Sequence, residues 1–516
     1  MKLAARPRDL PALTRALQAK AGGGDVAPER LVSTYYDTAE RDLQRQGLVL
    51  RVRQRNGHFI QTVKGGPEDS GNGLARGEWE DEIGGARPDP AAPQSGRFLD
   101  PQLSGKLQPL FRTEVGRATI ALAIAPNAQI EAAVDRGRVC LPAGTSSEPI
   151  SEVELELKSG SPTALYDVAL DLLAVAPVRL ERRSKAERGH RLTGIEEAPP
   201  VAAVHAEAVD LDRRLSGDEA LRRIGLSCLN QIMRNEAAVE AALPDGIHQM
   251  RVAVRRLRAV LSTFARKLPA DQRRALSQEL RWLATALGAA RNLDVFEKSL
   301  APAAAAASGD GDLDALVEAT AARRRSAYAQ AIRAVRSRRY TALLLRLLRW
   351  FEGRLWRYST TAEQLRRPIA ELATSLLDRR LRAVRRRSKG FAAQSPPQRH
   401  QLRIALKKLR YAAEALAGLY RRRAVERFLK RVKRLQDDLG DANDVRVGHD
   451  IVVDLAKNTA GNTPGNAPGN AICDTAIAAA GEAVLHWHER RLAQRGRQLR
   501  KHLDRLLAAE PFWQLR

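Results

Sequence analysis

Cysteine is nearly missing from this chain of 516 residues, which holds three. Cys140, Cys228 and Cys473 lie far apart, with no CxxC pair among them. That excludes a disulfide framework and a cysteine zinc site, and it fits a reducing compartment. Aromatic residues amount to 4%, which leaves little platform for stacking the bases of a single-stranded nucleic acid. No apolar run approaches the ~18 residues of a transmembrane helix, and no signal-peptide core follows Met1. Recognition-helix and zinc-finger patterns are also missing, so nucleic acid is not the expected partner. The expectation is a soluble cytoplasmic protein with no membrane partner; nothing in the sequence fixes its oligomeric state.

Positive charge is abundant, and it is unevenly placed. Residues 1–200 carry 27 Lys+Arg against 27 Asp+Glu, so the whole net charge of +26 belongs to residues 201–516, with 59 against 33. A surplus confined to one region implies a polyanionic partner, with nucleic acid, anionic lipid and polyphosphate all open on charge alone. The texture changes at the same place. Upstream, short runs broken by Gly and Pro read as strands: Leu48–Gln54, His58–Lys64, Gly77–Ile83, Ala118–Ala125, Ile130–Val134 and Ile150–Lys158. Downstream, Ala, Leu and Arg recur at helical spacing. Ala301–Asp312 and the Asn/Pro/Gly-rich Asn458–Asn470 read as loops. The spacing predicts an α+β region over 1–195, a linker over 196–214, and an all-helical region over 215–512.

The helical region repeats itself. His248-x2-Arg251-x3-Arg255-Arg256-x-Arg258 recurs as His400-x2-Arg403-x3-Lys407-Lys408-x-Arg410, offset by 152 residues. Arg281 and Lys433, Leu287-Gly288 and Leu439-Gly440, and Asn292 and Asp444 keep the same offset. This is an internal duplication, with repeats at about 215–300 and 370–450, and it predicts two pseudo-symmetric helical bundles. At ~100° per residue, His248, Arg251, Arg255 and Arg258 share an arc of roughly 80°, opposite Leu257, Val260, Leu261 and Phe264. An ordinary charge run is a solvated helix face. This one holds almost no acid, includes a histidine in register, and occurs twice, so anion binding is the stronger reading. The doubled motif with its Leu-Gly resembles the CHAD domain over roughly 215–510. That resemblance implies polyphosphate binding through His248, Arg251, Arg255, Arg256, Arg258, Arg281, His400, Arg403, Lys407, Lys408, Arg410 and Lys433.

In the neutral region, strand alternation puts charge on whole faces. Glu152, Glu154, Glu156 and Lys158 alternate with Val153, Leu155 and Leu157; Arg76, Glu78, Glu80 and Glu82 form a second row, and Arg51, Arg53 and Arg55 a third. A half-solvated antiparallel sheet would explain one such row. Rows of both signs suit a closed barrel whose interior grips phosphate with cations and Mg²⁺ or Mn²⁺ with carboxylates. Tyr35-Tyr36-Asp37-Thr38, Leu50-Arg51-Val52-Arg53, Thr62-Val63-Lys64, Arg76-x-Glu78-x-Glu80, Phe111-Arg112-Thr113, Glu152-x-Glu154-x-Glu156-x-Lys158 and Lys185-x2-Arg188-Gly189 resemble, in that order, a CYTH domain, or triphosphate tunnel metalloenzyme.

The CYTH resemblance spans about 1–195 and implies an eight-stranded antiparallel tunnel that hydrolyses inorganic triphosphate with Mg²⁺ or Mn²⁺. Glu154 and Glu156 are then the metal ligands, and Glu80, Asp135 and Lys2 the catalytic residues. Arg51, Arg53, Lys64, Arg112, Arg117, Lys185 and Arg188 bind triphosphate. The family's opening strand reads Glu-x-Glu-x-Lys; here Lys2 takes the lysine's place with no glutamates before it, and His190 stands where tyrosine is usual. Two expectations follow: a metal-dependent inorganic triphosphatase that also holds long-chain polyphosphate, or a non-catalytic polyphosphate-binding protein, in either case associated with polyphosphate granules.

Overall fold

The computed structural model describes residues 1–24, 26–65, 77–142, 144, 146–194, 200–306, 314–460 and 469–514. Arg76, residue 195 at the end of the expected α+β region, residues 196–199 of the expected linker, 307–312 of the first expected loop and 461–468 of the second lie outside them. The chain forms two compact units, Met1–Pro200 and Val201–Arg516.

The first unit is built on nine antiparallel strands: β1 (Lys2–Ala5), β2 (Glu29–Asp37), β3 (Val49–Arg55), β4 (His58–Gly65), β5 (Gly77–Ile83), β6 (Gln108–Ile124), β7 (Ala128–Cys140), β8 (Ser147–Ser159) and β9 (Val178–Leu180). Their hydrogen-bonded order is β5-β4-β3-β2-β6-β7-β8-β1-β9, with no ladder joining β5 to β9 among the described residues. There is one strand more than the eight expected, because the short β9 pairs with the outer side of β1.

Alternation sorts the two faces as the sequence suggests. Leu3, Leu122, Val153 and Leu155 are buried on the face covered by the helices Leu10–Lys20 and Thr163–Val175, which bring Leu13, Leu17, Val168 and Leu172 to it. Along β6 the buried parity changes: Phe111, Thr113 and Val115 are covered at one end, Ala118, Ile120 and Leu122 at the other. The first set belongs to the charged face, where the helix Lys185–Leu192 lies over it and packs Ala186 against Phe111, Val115, Val139 and Ile150. One end of the charged face is thereby plugged by a helix that itself carries cations.

The second unit is helical. Its two motif segments are the helices Pro244–Thr263 and Pro396–Ala415, each entered through a proline in the first turn, where a missing N–H costs nothing. Met250, Ala253, Val254, Leu257 and Leu261 of the first are buried, as are Leu402, Ala405, Leu406, Leu409 and Ala413 of the second. The described residues of both expected loops are helical. Residues 301–306 continue the helix Gly288–Ala306, 458–460 end the helix Arg422–Ala460, and 469–470 begin the helix Gly469–Leu507. Alanine, a strong helix former, accounts for the first of these extensions. No helix among the described residues is long and apolar enough to cross a membrane.

Candidate functional site

Three neighbouring strands assemble the most strongly interacting charges of the first unit. Ladder register sets Arg117 of β6 opposite Asp135 of β7, and Asp135 opposite Glu152 of β8. Glu154 follows two residues on, on the same face. Arg117 donates from Nε and Nη2 to the two Asp135 oxygens at 2.7 and 2.6 Å, and from Nη2 to Glu154 Oε2 at 2.6 Å. Lys185 Nζ donates to Asp135, Glu152 and Glu154 at 2.7, 2.5 and 3.0 Å. Arg188 adds Nη1 to Glu152 Oε2 at 3.4 Å and Nε to Glu148 Oε1 at 2.9 Å.

Asp135 and Glu152 are 0% and 1% exposed, so these carboxylates need the cations around them. Burial opposes the charge on Glu154, but Lys185 and Arg117 outweigh it and hold this carboxyl well below the usual range. Burial likewise opposes the Lys185 ammonium, and Glu154, Asp135 and Glu152 together raise it above an ordinary lysine. Oxygen atoms of Asp135, Glu152 and Glu154 all lie within 4.8 Å of one another. An all-oxygen set of that size fits a hard divalent cation such as Mg²⁺ or Mn²⁺.

Local structure fixes the two helix-borne cations. Ser184 and Glu187 form a capping box that starts the helix Lys185–Leu192, so Lys185 and Arg188 lie one turn apart on one side. Gly189 permits the docking, since a Cβ there would fall 2.0 Å from the Phe111 ring. Phe111 in turn stacks on Tyr35 at 4.6 Å and meets the edge of His190 at 5.1 Å.

The same sheet face continues onto β3, β4 and β5. Arg51 Nη2 lies 3.4 Å from Glu78 and 3.3 Å from Glu80, Lys64 Nζ 2.6 Å from Glu78, and Thr62 Oγ1 donates to Glu80 at 2.8 Å. Arg53 donates to Ser33 Oγ at 3.2 Å. Burial, then the neighbouring Arg51 and Arg117, bring Arg53 down to about 10. Lys64 is lowered by burial and by Arg51. These cations are partly dehydrated and crowded by like charge, a condition that an anion relieves.

In the helical unit, burial lowers His248 to about 4, with Arg291, Arg255 and Arg251 adding to the effect. Arg251 falls to about 10 through burial, Arg255 and Arg291. Arg251 donates to the Ala284 carbonyl at 2.8 Å, while Nε of Arg251 and Nε of Arg255 are buried without an acceptor. The first of the repeated glycines lies close to the basic stripe: a Cβ on Gly288 would lie 3.0 Å from Arg251 Nη1, whereas one on Gly440 would stand 3.9 Å from Arg403 Nη2, an ordinary contact. Arg258 is lowered by burial and Arg281, and His400 by burial, Arg403, Arg446 and Lys407. Arg281 and Lys433 are exposed.

Residues 1–190 match the CYTH domain model, and residues 223–453 match the CHAD domain model. The chain is a CYTH domain followed by a CHAD domain. It is 33% identical over 163 residues to an inorganic triphosphatase of Haemophilus influenzae, covering 31% of this chain and 46% of that protein. An uncharacterised Mycobacterium tuberculosis protein is 26% identical over 242 residues, 45% of each chain. This chain therefore spans about half the length of the curated relatives it matches. The crystal structure of a CHAD domain from the plant Ricinus communis aligns at 30% identity and a TM-score of 0.49, covering 60% of this chain and 98% of that one.

Within the CYTH domain, the structure does not bring all of the expected site residues together. Glu156 is not brought to the acidic cluster: its side chain is 66% exposed and pairs with Lys158 at 2.8 Å. Glu152 takes that place, because it stands opposite Asp135 whereas Glu156 stands opposite Glu131. Arg112 lies on the other face from Arg117, five residues away along β6, where it pairs with Glu114 at 2.9 Å. Lys2 stands opposite Glu154 on β8 and donates Nζ to the Arg183 carbonyl at 2.6 Å; burial lowers it, although Glu154 opposes the effect. Glu80 belongs to the Arg51–Thr62 group rather than to the trio around Lys185.

Within the CHAD domain, Arg256 is buried and donates to Gln231 Oε1 at 2.9 Å, and Arg410 donates to Gln436 Oε1 at 2.9 Å. Lys407 and Lys408 lie on the second motif helix with Lys408 exposed, and the side chain of Asp444 lies outside the described residues.

Proposed function

We propose that the CYTH domain hydrolyses inorganic triphosphate with Mg²⁺ or Mn²⁺, its nine-stranded sheet curling into a tunnel around the charged face, and that the CHAD domain binds inorganic polyphosphate. One observation carries the reading: the Asp135–Glu152–Glu154 oxygens converge on the same sheet face as Arg51, Arg53, Lys64 and Arg117. Asp135, Glu152 and Glu154 would hold the metal, which when bound polarises phosphoryl oxygens and raises the acidity of a water. Arg51, Arg53 and Lys64 would neutralise and orient the phosphate chain, and Lys2, beside Glu154, would reach the same anion. Glu80, held by Thr62 and Arg51, would accept the proton of the attacking water. Lys185 and Arg188 keep the three carboxylates ionised and in place.

A second reading has its own support. The acidic trio is already fully paired by Arg117, Lys185 and Arg188, which suits a protein that binds phosphate chains without cleaving them. Phosphate release from tripolyphosphate with Mg²⁺ or Mn²⁺ separates the two. Under the first reading Glu152→Gln and Glu154→Gln lose turnover by roughly a hundredfold or more, while Glu156→Gln keeps it within a few fold. An inactive wild-type chain that still binds polyphosphate would leave the second reading standing.

A further inference from the structure

The 152-residue offset extends upstream of the motif helices, and it exposes an asymmetry. The helices Gly217–Arg234 and Ile369–Arg387 bury matching positions: Leu221 with Ala373, Ile224 with Leu376, Leu229 with Leu381, and Ile232 with Val384. In that register Arg380 is the counterpart of Cys228, Arg387 of Asn235, Lys408 of Arg256, and Ser262 of Glu414.

On the first side the counterparts are spent on structure. Cys228 is buried, and Asn235 donates to the carbonyls of Val204 and Gln231 at 2.9 and 2.8 Å. Arg256 is bound to Gln231, and Glu414 pairs with Arg410 at 3.2 Å. On the second side Arg380 reaches the end of the first motif helix, donating from Nη2 to Ser262 Oγ at 2.9 Å and lying 3.3 Å from Thr263 Oγ1, while its Nε is buried with no acceptor. Lys408 is exposed beside it. Burial, then Arg380, Arg387 and Arg258, lower Lys408, with no carboxylate among the causes. At these four pairs of positions the sides differ by three charges: two arginines are added, and one glutamate is replaced by serine.

We propose that the polyanion surface of the CHAD domain is one-sided, with Arg380 and Arg387 extending it beyond the duplicated motif so that it favours phosphate chains longer than the motif alone can hold. This rests on the polyphosphate reading above. Seven residues separate Arg380 from Arg387, so the two side chains share a helix face and lie about 10 Å apart along its axis. The ligand is a phosphate chain rather than RNA, because the aromatic rings of the second motif segment are already engaged by arginines: Arg399 lies over Phe391 and Arg410 over Tyr411, at 5.3 and 4.8 Å.

The test uses the full chain in EDTA, with fluorescently labelled long-chain polyphosphate titrated at several salt concentrations and displaced by tripolyphosphate. Arg387→Gln, whose side chain makes no hydrogen bond or ion pair among the described residues, should weaken long-chain binding about five- to tenfold and flatten the slope of log K against log salt by roughly 0.7–0.9. Arg380→Gln should do the same, and Arg380→Lys should restore much of the loss. Tripolyphosphate displacement should stay unchanged in each variant. Long-chain binding unaltered in Arg387→Gln, or short and long chains weakened alike, overturns the extension. Equal competition by single-stranded RNA overturns the choice of ligand. A wild-type chain that binds neither chain length overturns the polyphosphate reading itself, and this inference with it.

Discussion

Replacing Lys185 by methionine gives the most direct test of how the acidic trio is held. The side chain keeps its length, but the one ammonium that bonds Asp135, Glu152 and Glu154 together is lost. Removing one partner from a buried ion cluster costs about 3–5 kcal/mol. Arg117 and Arg188 remain, which favours the lower end. For a unit of this size each kcal/mol moves the melting temperature by ~2–4 °C, so a fall of roughly 6–12 °C is expected. The sign with pH follows from the two shifts. Lys185 is raised in the fold, so its contribution is complete below the ordinary lysine value and fully present at neutrality. Glu154 is depressed, so its contribution exists above the ordinary carboxylate value and fades as acid titrates it. The gap between variant and wild type should therefore be widest near pH 7 and narrow on acidification. Mg²⁺ should stabilise the variant more than the wild type, since a divalent cation supplies the charge that was removed. Scanning calorimetry of the full chain, with amide exchange in β6–β8 to assign the transition, reads both effects. A variant that melts within a degree of wild type, or that Mg²⁺ leaves untouched, would refute this account of the cluster.

Gly189→Ala should cost about 1–3 kcal/mol by overpacking against Phe111 and should lower triphosphate turnover by displacing the helix that carries Lys185, both readable by melting and phosphate release. Gly288→Ala should weaken polyphosphate binding a few fold while Gly440→Ala does not, because a Cβ would press on Arg251 at 3.0 Å but stand 3.9 Å from Arg403; titration with labelled polyphosphate decides. His248, lowered to about 4 against an ordinary 6.5, stabilises the fold above pH 6.5 and loses that contribution as pH falls toward 4. The span is about 3 kcal/mol at most and roughly 1–2 after allowance for its half-exposed ring. A bound polyanion raises the same group, so affinity should strengthen between pH 8 and pH 5, and His248→Gln should flatten that dependence in titrations across the range.

Much of this architecture is written in the residue order, because periodicity survives folding. The alternation of Glu152, Glu154 and Glu156 with valine and leucine announced a one-sided charged strand, and β8 is that strand. Which of the three glutamates meet one another was not legible, since all three share a face and a period of two cannot tell them apart. Pairing with β7 decides it, setting Glu152 beside Asp135 and Glu156 out by Lys158. Arg112 misled for a related reason: it adjoins Phe111 in a recognisable triplet, but the odd spacing to Arg117 sends it to the opposite face.

The helical half shows the same limit in another form. Arg256 and Lys408 occupy one position of a duplicated motif, and the sequence gives no ground for treating them differently. Gln231 takes the first into the interior, whereas Arg380 and Arg387 crowd the second at the surface. A repeat therefore locates the charge, but the residues that differ between its copies decide which charges remain available to a ligand. Cys228 against Arg380 and Glu414 against Ser262 are the places where the two copies have ceased to be equivalent, and there the duplicated fold gains a direction.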